Sequence, residues 1–174
     1  MAQIAFRPLN VDDLQQVFLW LLQPHVVKGY APAPSSFMEC VAKYGPRTQP
    51  ENAVKAFIVS ADGEDVGYIQ SYDLAAFPDY EALVGCEKGV ACIDFFIGAP
   101  ALLDHGVGSE VARRFVEDRV FSSPGVIACI AGPPEGQNSA IHAFENAGFR
   151  RWKVVHTEGS APECVMRRDR EAVG

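Results

Sequence analysis

The sequence lacks the cysteine and histidine patterns that hold structural metals. Its five cysteines include no Cys-x-x-Cys pair, and none stands beside a histidine at a spacing typical of zinc ligands. An odd number of cysteines also does not suit a framework of paired disulfides. We therefore expect reduced, mostly buried thiols and no metal site.

Long apolar runs are absent as well. No window reaches the roughly 20 apolar residues that span a bilayer, and the first residues have no charged segment followed by an apolar stretch. These absences argue against a membrane span and against a secretory signal. We expect a cytoplasmic protein that does not bind membranes.

Basic residues are in deficit. Lysine and arginine number 15 against 22 aspartates and glutamates, which gives a formal net charge of −7. Because nucleic-acid binding needs a basic stripe, we expect no nucleic-acid partner. An acidic surface instead steers cationic small molecules inward. The charge therefore favours a small-molecule amine as partner, and a polycation in particular.

The chain is long enough to build a substantial core. It has 174 residues, of which 48% are hydrophobic and 21% charged, as in an ordinary globular protein. No linker or internal repeat divides it, and we expect one domain over residues 1–174. The sequence leaves the oligomeric state open.

Apolar periodicity predicts a mixed α/β fold. Alternating or continuous apolar runs predict six or seven strands, at 4–7, 54–60, 66–72, 90–97, 126–130 and around positions 154 and 165. Amphipathic spacing predicts about four helices, at 10–23, 36–44, 107–121 and 138–146. The segments 24–34 and 75–89 are predicted to be loops.

Local signals set the expected ends of these elements. Asn10 and Ser36 are the expected N-caps, and Ser36 would form a capping box with Glu39. Asp62-Gly63 lies between two β-rich runs, which is a strong signal for a two-residue hairpin.

A glycine-containing turn separates the strand at 90–97 from the helix at 107–121. Its sequence, His-Gly-Val-Gly-Ser at 105–109, exposes backbone N–H groups at a helix N-terminus, where they can surround a pyrophosphate. Val111 stands where a dinucleotide fingerprint needs a third glycine, and no Gly-Lys-Ser/Thr follows, as a triphosphatase loop requires. The remaining interpretations are a tight turn without a ligand and a short pyrophosphate cradle.

One carboxylate interrupts an otherwise apolar strand. Asp94 lies between the apolar runs 90–93 and 95–97, and a buried charge without a partner is costly. Asp94 must therefore face a pocket, a partner or water. It either pairs with a structural arginine, marks the exposed face of the strand, or binds the ammonium of an amine and accepts its proton.

Two stretches, in this order and spacing, resemble the acyl-CoA site of the GNAT N-acetyltransferases. In the glycine turn, Gly106 and Gly108 match the family's Gln/Arg-x-x-Gly-x-Gly/Ala. The second stretch matches at Asn138, Ala140, Phe144, Glu145, Gly148 and Phe149. The resemblance covers nearly the whole chain. It implies an α/β (α+β) fold with a central mixed, mostly antiparallel sheet, and acetyl-CoA as the cosubstrate.

Within this superfamily the chain is most similar to aminoglycoside 6′-N-acetyltransferases. Three passages carry the likeness: Phe6-Arg7-Pro8-Leu9 with Leu14, Gly67-Tyr68-Ile69-Gln70-Ser71-Tyr72, and Ile93-Asp94 leading to the glycine turn. The resemblance implies an enzyme of antibiotic resistance that acetylates a primary amine, the 6′-amino group of an aminoglycoside. The deprotonated amine would attack the thioester directly.

The resemblance also implies a set of site residues. Asp94, as base or amine anchor, and Tyr72 are the expected catalytic residues. The expected acetyl-CoA ligands are Phe95, Phe96, Ile97, His105, Gly106, Val107, Gly108, Ser109, Asn138 and Phe144. The expected acceptor ligands are Gln70, Tyr72, Asp79, Tyr80, Glu81 and Asp94. Acyl-CoA would lie between the strands at 90–97 and 126–130, with the oxyanion on a backbone N–H near residues 95–97.

Several of these assignments have a structural alternative. Asn138 is expected to contact the pantetheine arm, or to be a plain N-cap, or both. The acidic loop with Asp79, Tyr80, Glu81 and Glu87 is either a lid over a polycation or a solvated loop. His25 either borders the acceptor pocket or is a surface histidine.

Two departures from the family pattern raise alternative functions. Leu103 replaces a basic or amide residue, and Phe144 stands where many relatives carry tyrosine, the usual acid for the departing thiolate. Either another donor protonates the thiolate, or turnover is slow or lost. The candidate donors are water, Tyr72, Tyr80 and His142. The alternatives are an acetyltransferase for another small amine, a siderophore precursor or a protein N-terminus, and a non-catalytic acyl-CoA-binding module.

Overall fold

A computed structural model describes residues 1–172. The chain forms two compact units, one built from Met1–Gln70 with Phe95–Gly108 and the other from Ser71–Asp94 with the chain from Ser109 onward. We refer to them as the first and the second unit. The expectation of one domain over residues 1–174 stays a prediction.

Seven strands are present in the described residues. They are β1 (Ile4–Pro8), β2 (Lys55–Ala61), β3 (Glu64–Asp73), β4 (Val90–Ile97), β5 (Ala128–Ala131), β6 (Arg150–Val155) and β7 (Glu163–Asp169). Their order in the sheet is β1-β2-β3-β4-β5-β7-β6. The pairs β1·β2, β5·β7 and β6·β7 are antiparallel and β4·β5 is parallel. The expected mixed, mostly antiparallel sheet is therefore confirmed.

The residues 1–172 contain six α-helices rather than about four. They are α1 (Leu14–Leu21), α2 (Pro24–Gly29), α3 (Phe37–Tyr44), α4 (Pro78–Val84), α5 (Val107–Phe115) and α6 (Asn138–Asn146). A π-helical turn at Val116–Val120 continues α5, where a single α-helix to residue 121 was expected. The two additional helices, α2 and α4, lie in segments that the sequence predicts to be loops.

Proline explains both additional helices. Pro24 and Pro78 occupy the first helical position, where the missing N–H costs nothing and the fixed φ suits the helix. In α4 the first turn also carries two acidic residues, and Gly85 closes the helix in the left-handed conformation with φ of 64°. These signals describe a helix start and stop, so the prediction of a loop over 75–89 was wrong.

The predicted caps are largely confirmed. The Asn10 side chain caps a short 3₁₀ turn ahead of α1, and the Ser36 side chain accepts the Glu39 N–H at 3.1 Å. The Glu39 carboxylate, however, bonds the backbone and side chain of Ser35 instead of completing the capping box. At the hairpin, Asp62 and Gly63 both have positive φ, as a type I′ turn requires.

The first unit is organised around an aromatic core. Residues of α1, α2 and α3 pack against β2, β3 and the end of β4. The buried members are Leu9, Leu14, Val17, Trp20, Leu21, Val26, Cys40, Tyr44, Ala56, Ile58, Tyr68 and Phe96. The rings of Tyr68 and Phe96 stack at 5.6 Å, which ties β3 to β4 within this unit.

The core of the second unit is smaller and more aliphatic. Its buried members are Leu74, Val84, Val90, Cys92, Ala128, Ile130, Val155 and Val165. Partly buried aromatic side chains cover it, among them Tyr72, Tyr80 and Trp152. Two of the predicted site residues therefore lie at the margin of this core.

The parallel pairing of β4 with β5 is short. It joins Val90–Cys92 to Ala128–Ile130, whereas β4 continues to Ile97. The strand therefore extends five residues past its last parallel pair, from Ile93 to Ile97. Backbone groups along this extension are the ones that the sequence analysis assigns to acyl-CoA.

The state of the cysteines and the length of the helices can also be compared with what the sequence predicts. All five cysteines carry free thiols, and four of them are buried. Within residues 1–172, no helix is both long enough and apolar enough to cross a membrane.

Candidate functional site

The glycine turn has the open backbone that the sequence analysis expects. Asp104 and Gly106 have φ of 63° and 74°, and no atom lies within 4 Å of the position that a Gly106 Cβ would take. The turn leads directly into α5 at Val107. A helix N-terminus with free space beside it is suited to an anion such as a pyrophosphate. His105 is exposed in this turn.

Close packing fixes the end of β4. A Cβ on Gly67 would collide with the Phe96 carbonyl, and a Cβ on Gly98 would collide with the Trp20 ring. His25 Nε2 lies 2.8 Å from the Ile97 carbonyl oxygen. These contacts hold the backbone of residues 96–98 rigidly. His25 thus acts as a support for β4, which neither of its sequence-based interpretations anticipated.

An acidic cluster forms in the second unit, around Tyr72, Tyr80, Cys92, Asp94 and Glu163. The charge of Asp94 raises the pKa of the other four groups, so all of them lie near it. Burial is the larger cause in each case. The predicted catalytic pair, Asp94 and Tyr72, is therefore brought together.

Tyr72 is held in its protonated form. Burial first, and then the neighbouring charges, place the pKa of its hydroxyl far above the ordinary value. The hydroxyl donates a hydrogen bond to the Cys92 thiol, and the ring packs against Phe77 with centroids 4.6 Å apart. Tyr72 can therefore donate a hydrogen bond but does not ionise readily.

Glu163 joins Tyr80 to the cluster. The Tyr80 hydroxyl donates to Glu163 Oε2 at 2.9 Å. A Cβ on Gly132 would lie 2.7 Å from the same oxygen and 2.9 Å from the Tyr80 hydroxyl. The carboxylate thus occupies space that a side chain at position 132 would need. Of these residues, Tyr80 is predicted from the sequence, whereas Glu163 and Gly132 are not.

The acidic residues in and after α4 fall into two groups with different surroundings. Asp79 and Glu81 lie in the first turn of α4, and Asp79 is exposed. Glu87 instead bonds the buried Arg167 at 2.6 Å, which lowers the pKa of its carboxyl to about 2. Glu87 is therefore part of a structural ion pair and not of a lid.

Gln70 lies in the first unit in an arginine cluster, which consists of Tyr44, Arg47, Tyr68 and Gln70. Gln70 is buried, and its side-chain carbonyl accepts hydrogen bonds from the Tyr68 hydroxyl at 2.7 Å and from Arg47. The Arg47 guanidinium also lies over the Tyr44 ring, 4.7 Å from its centroid. Burial opposes the charge of Arg47, but its tyrosine neighbours leave its pKa raised.

Several residues of the second motif form the C-terminal cap of helix α6. Gly148, with φ of 91°, follows the helix, and the Phe149 N–H bonds the Phe144 carbonyl at 3.0 Å. The Gly148 N–H bonds the Glu145 carbonyl at 3.0 Å, and the two phenylalanine rings meet at 5.2 Å. This is a Schellman motif with its hydrophobic contact. Phe144 is therefore a buried structural residue, whatever else it touches.

The two polar candidates on α6 face outward. Asn138 is the first residue of the helix, and its side chain is exposed. The N-cap position is held by Gln137, which makes no side-chain cap bond. The interpretation of Asn138 as the N-cap was therefore wrong. The His142 side chain is 66% exposed and lies 3.9 Å from Glu145. His142 is therefore a surface residue on α6, and its role as a proton donor stays a prediction.

Comparison with known proteins gives a consistent result. An acetyltransferase (GNAT) domain model matches residues 10–157. The chain is 28% identical over 171 residues to aminoglycoside N(6′)-acetyltransferase type 1 of Klebsiella pneumoniae, covering 97% of this chain and 84% of that protein. The same figures hold for the protein of that name from Serratia marcescens.

Solved structures resemble the whole chain. The aminoglycoside acetyltransferase AAC(6′)-Ib in complex with coenzyme A superimposes with a TM-score of 0.86 at 27% identity, covering 97% of this chain and 95% of that one. Its complex with coenzyme A and kanamycin gives the same values. The complex with acetyl-CoA and paromomycin gives a TM-score of 0.87 at 27% identity, covering 97% and 94%.

Proposed function

The chain belongs to the GNAT acetyltransferase family and is an acetyl-CoA-dependent N-acetyltransferase, and we propose that its acceptor is the 6′-amino group of an aminoglycoside antibiotic. Relatives named for this activity match nearly the full chain. The observation that carries the proposal is the acidic cluster, in which the carboxylates of Asp94 and Glu163 lie near each other and Glu163 accepts from Tyr80 at the margin of the core. Such a site suits a polycationic amine.

Asp94 is the proposed base or amine anchor. A protonated amine cannot attack a carbonyl, so its proton must leave before the carbon–nitrogen bond forms. The Asp94 carboxylate binds the ammonium and accepts that proton, directly or through water. The nitrogen then bonds the acetyl carbon, the carbon–sulfur bond breaks, and the thiolate is released.

The extension of β4 and the glycine turn are the proposed acetyl-CoA site. Acetyl-CoA supplies the acetyl group as an activated thioester. The backbone of Phe95–Ile97, fixed by the glycine contacts and His25, would donate to the oxyanion. The N–H groups of His105–Ser109 would hold the pyrophosphate, and the open space beside Gly106 fits this role. Asn138 and Phe144 remain proposed contacts of the pantetheine arm.

The acceptor residues have unequal roles in this proposal. Tyr72 would shift its one hydrogen-bond donor from the Cys92 thiol to the departing thiolate, since Phe144 has no hydroxyl to offer. Asp79 and Glu81 contribute negative charge from the start of α4. Tyr80 acts through the Glu163 carboxylate to which it donates. Gln70 contributes least to acceptor binding in this proposal, because Tyr68 and Arg47 already engage its side-chain carbonyl.

The proposed setting follows from the chemistry. Acetyl-CoA and an antibiotic that has entered the cell meet in the cytoplasm, which is where we place the enzyme. With a net charge of −7, the proposed partner is a small cation and not a nucleic acid.

One observation favours a second candidate function. Arg47 is half-buried and makes no ion pair with a carboxylate within residues 1–172. A half-buried guanidinium that no carboxylate pairs with is suited to an anionic group of a ligand. An amine that also carries a carboxylate, such as an amino-acid-derived siderophore precursor, is therefore the second candidate acceptor.

The experiment follows loss of the thioester from acetyl-CoA by its ultraviolet absorbance, which avoids thiol reagents that would react with the five cysteines. Acceptors are 6′-amino aminoglycosides, matched compounds with a hydroxyl at 6′, polyamines and lysine derivatives. We expect saturable turnover with the 6′-amino compounds alone, and mass spectrometry and NMR that place one acetyl group on the 6′ nitrogen. Turnover confined to the lysine derivatives would establish the second candidate instead.

A further inference from the structure

Glu163 is held in position by its backbone. It begins β7, its partner across the isolated bridge is Pro134, and it also pairs with Val155 of β6. The neighbouring Cys164 N–H bonds the Pro133 carbonyl at 2.9 Å. With pairing on both sides, the direction of the Glu163 side chain is fixed, and it runs toward Gly132 and Tyr80.

The carboxylate at this position has no cation of its own. The Glu163 carboxylate makes no ion pair within residues 1–172, and its one hydrogen-bond partner there is the Tyr80 hydroxyl. It is partly buried, and both burial and the charge of Asp94 raise its pKa. A partly buried carboxylate near a second one is an unfavourable arrangement unless a cation joins it.

Other carboxylates of the second unit show the contrast. Glu87, Glu117 and Asp169 each bond an arginine of β7. Glu163 stands on the same strand, yet its neighbours are a hydroxyl, a glycine and Asp94. Gly132 supplies the space for its carboxylate, since any larger residue there would collide with it.

We propose that Glu163 is an acceptor-positioning residue: its carboxylate binds a second ammonium group of the acceptor while Asp94 faces the amine that is acetylated. This inference rests on the proposed function and specifies it, because it requires an acceptor with at least two amines. The Tyr80 hydroxyl orients the carboxylate, and Gly132 leaves room for it. Glu163 does not take part in the bond changes, so its loss weakens binding and spares the chemical step.

The test is the Glu163→Gln variant, which keeps the shape of the side chain and removes its charge. Binding of a 6′-amino aminoglycoside to the coenzyme A-loaded enzyme is measured by titration calorimetry, and kcat and KM are measured by the thioester assay. We expect affinity to fall about tenfold or more, with a matching rise in KM and little change in kcat at saturation. Thermal unfolding followed by circular dichroism checks that the variant is folded.

A matched control distinguishes a direct contact of Glu163 with the acceptor from the overall attraction of a negatively charged protein for a cation. Glu158→Gln removes the same charge from the exposed turn between β6 and β7, and its effect on affinity should be small. If Glu158→Gln weakens binding as much as Glu163→Gln, the local contact does not exist and the inference is wrong.

A set of acceptors identifies the second ammonium. Aminoglycosides that keep the 6′-amine and carry a hydroxyl in place of one other amine are titrated against both proteins. One of these analogues should bind wild type more weakly and lose its sensitivity to Glu163→Gln, because the partner group is missing. If every analogue loses the same factor on Glu163→Gln, no second ammonium contacts Glu163.

These outcomes separate the two proposals. Turnover of 6′-amino compounds with an affinity unaffected by Glu163→Gln would refute the inference and leave the proposed function standing. Aminoglycoside binding that depends on Glu163 without any turnover would refute the proposed function alone. Absence of binding to the wild-type enzyme would refute both.

Discussion

Gln70 and Tyr72 stand two residues apart on β3 and come from one sequence motif, yet their surroundings carry opposite charge. The arginine cluster around Gln70 places one guanidinium among two tyrosines and a carboxamide. The acidic cluster around Tyr72 places two carboxylates among two tyrosines and a thiol. Two residues of the same family motif can therefore have different kinds of role.

The two clusters also differ in how they satisfy their charges. In the arginine cluster, neutral acceptors and an aromatic face meet the cation, so its hydrogen bonds are satisfied without a carboxylate. In the acidic cluster, Glu163 has a hydroxyl as its partner and a second carboxylate nearby. We therefore infer that the arginine cluster mainly stabilises the fold, whereas the acidic cluster is suited to binding a cation.

The largest effect is expected for Asp94→Asn. The amide keeps the size of the side chain but cannot accept the proton of the attacking amine, so kcat should fall by about 10²–10⁴-fold. The affinity for acetyl-CoA should not change, because its proposed contacts are backbone groups of β4 and the glycine turn. Steady-state kinetics and calorimetry with acetyl-CoA measure the two quantities. Asp118→Asn, on the exposed surface after α5, is the charge-matched control, and an unchanged kcat in Asp94→Asn would refute the assigned role.

A smaller effect is expected for Tyr72→Phe. Because burial and the nearby charges raise the pKa of its hydroxyl, Tyr72 stabilises the thiolate by a hydrogen bond rather than by full proton transfer. A net hydrogen bond contributes about 0.5–1.5 kcal/mol, which limits the loss in kcat to roughly tenfold. The KM for the acceptor should change little. By contrast, Tyr80→Phe should raise that KM through Glu163, so kcat and KM together tell the two tyrosines apart.

The size of the Tyr72 effect decides between two mechanisms. A loss as large as that of Asp94→Asn would identify Tyr72 as the acid that replaces the hydroxyl missing at Phe144. No loss at all would leave water as the proton donor and make Tyr72 a packing residue.

The sequence predicts most of this fold, because its apolar periods and turns agree with one another. Strands β1–β7, the hairpin at Asp62-Gly63 and helix α6 lie close to where local signals place them. The two missed helices have a common cause: α2 and α4 each begin with proline, which interrupts a helical pattern in the sequence but suits the first position of a helix.

The site is predicted less completely, for a physical reason. Asp94 is visible because a carboxylate inside an apolar run demands an explanation at the level of sequence alone. Glu163 is not visible, since its meaning comes from Tyr80, which is 83 residues away, and from the missing side chain of Gly132. Arg47 is hidden in the same way, because only the folded chain brings it to Gln70.

The smallest effect on turnover is expected for Gln70→Leu, which tests the arginine cluster. The substitution removes the carbonyl that accepts from the half-buried Arg47 and from the fully buried Tyr68. Unsatisfied groups of this kind cost about 1–3 kcal/mol, and each kcal/mol lowers Tm by roughly 2–4 °C in a chain of this size. Calorimetric unfolding measures the loss, and Gln15→Leu on the exposed side of α1 is the matched control. The KM for the acceptor should rise far less than in Glu163→Gln. An unchanged Tm together with a large rise in KM would show instead that Gln70 binds the acceptor, and the two clusters would then share one role after all.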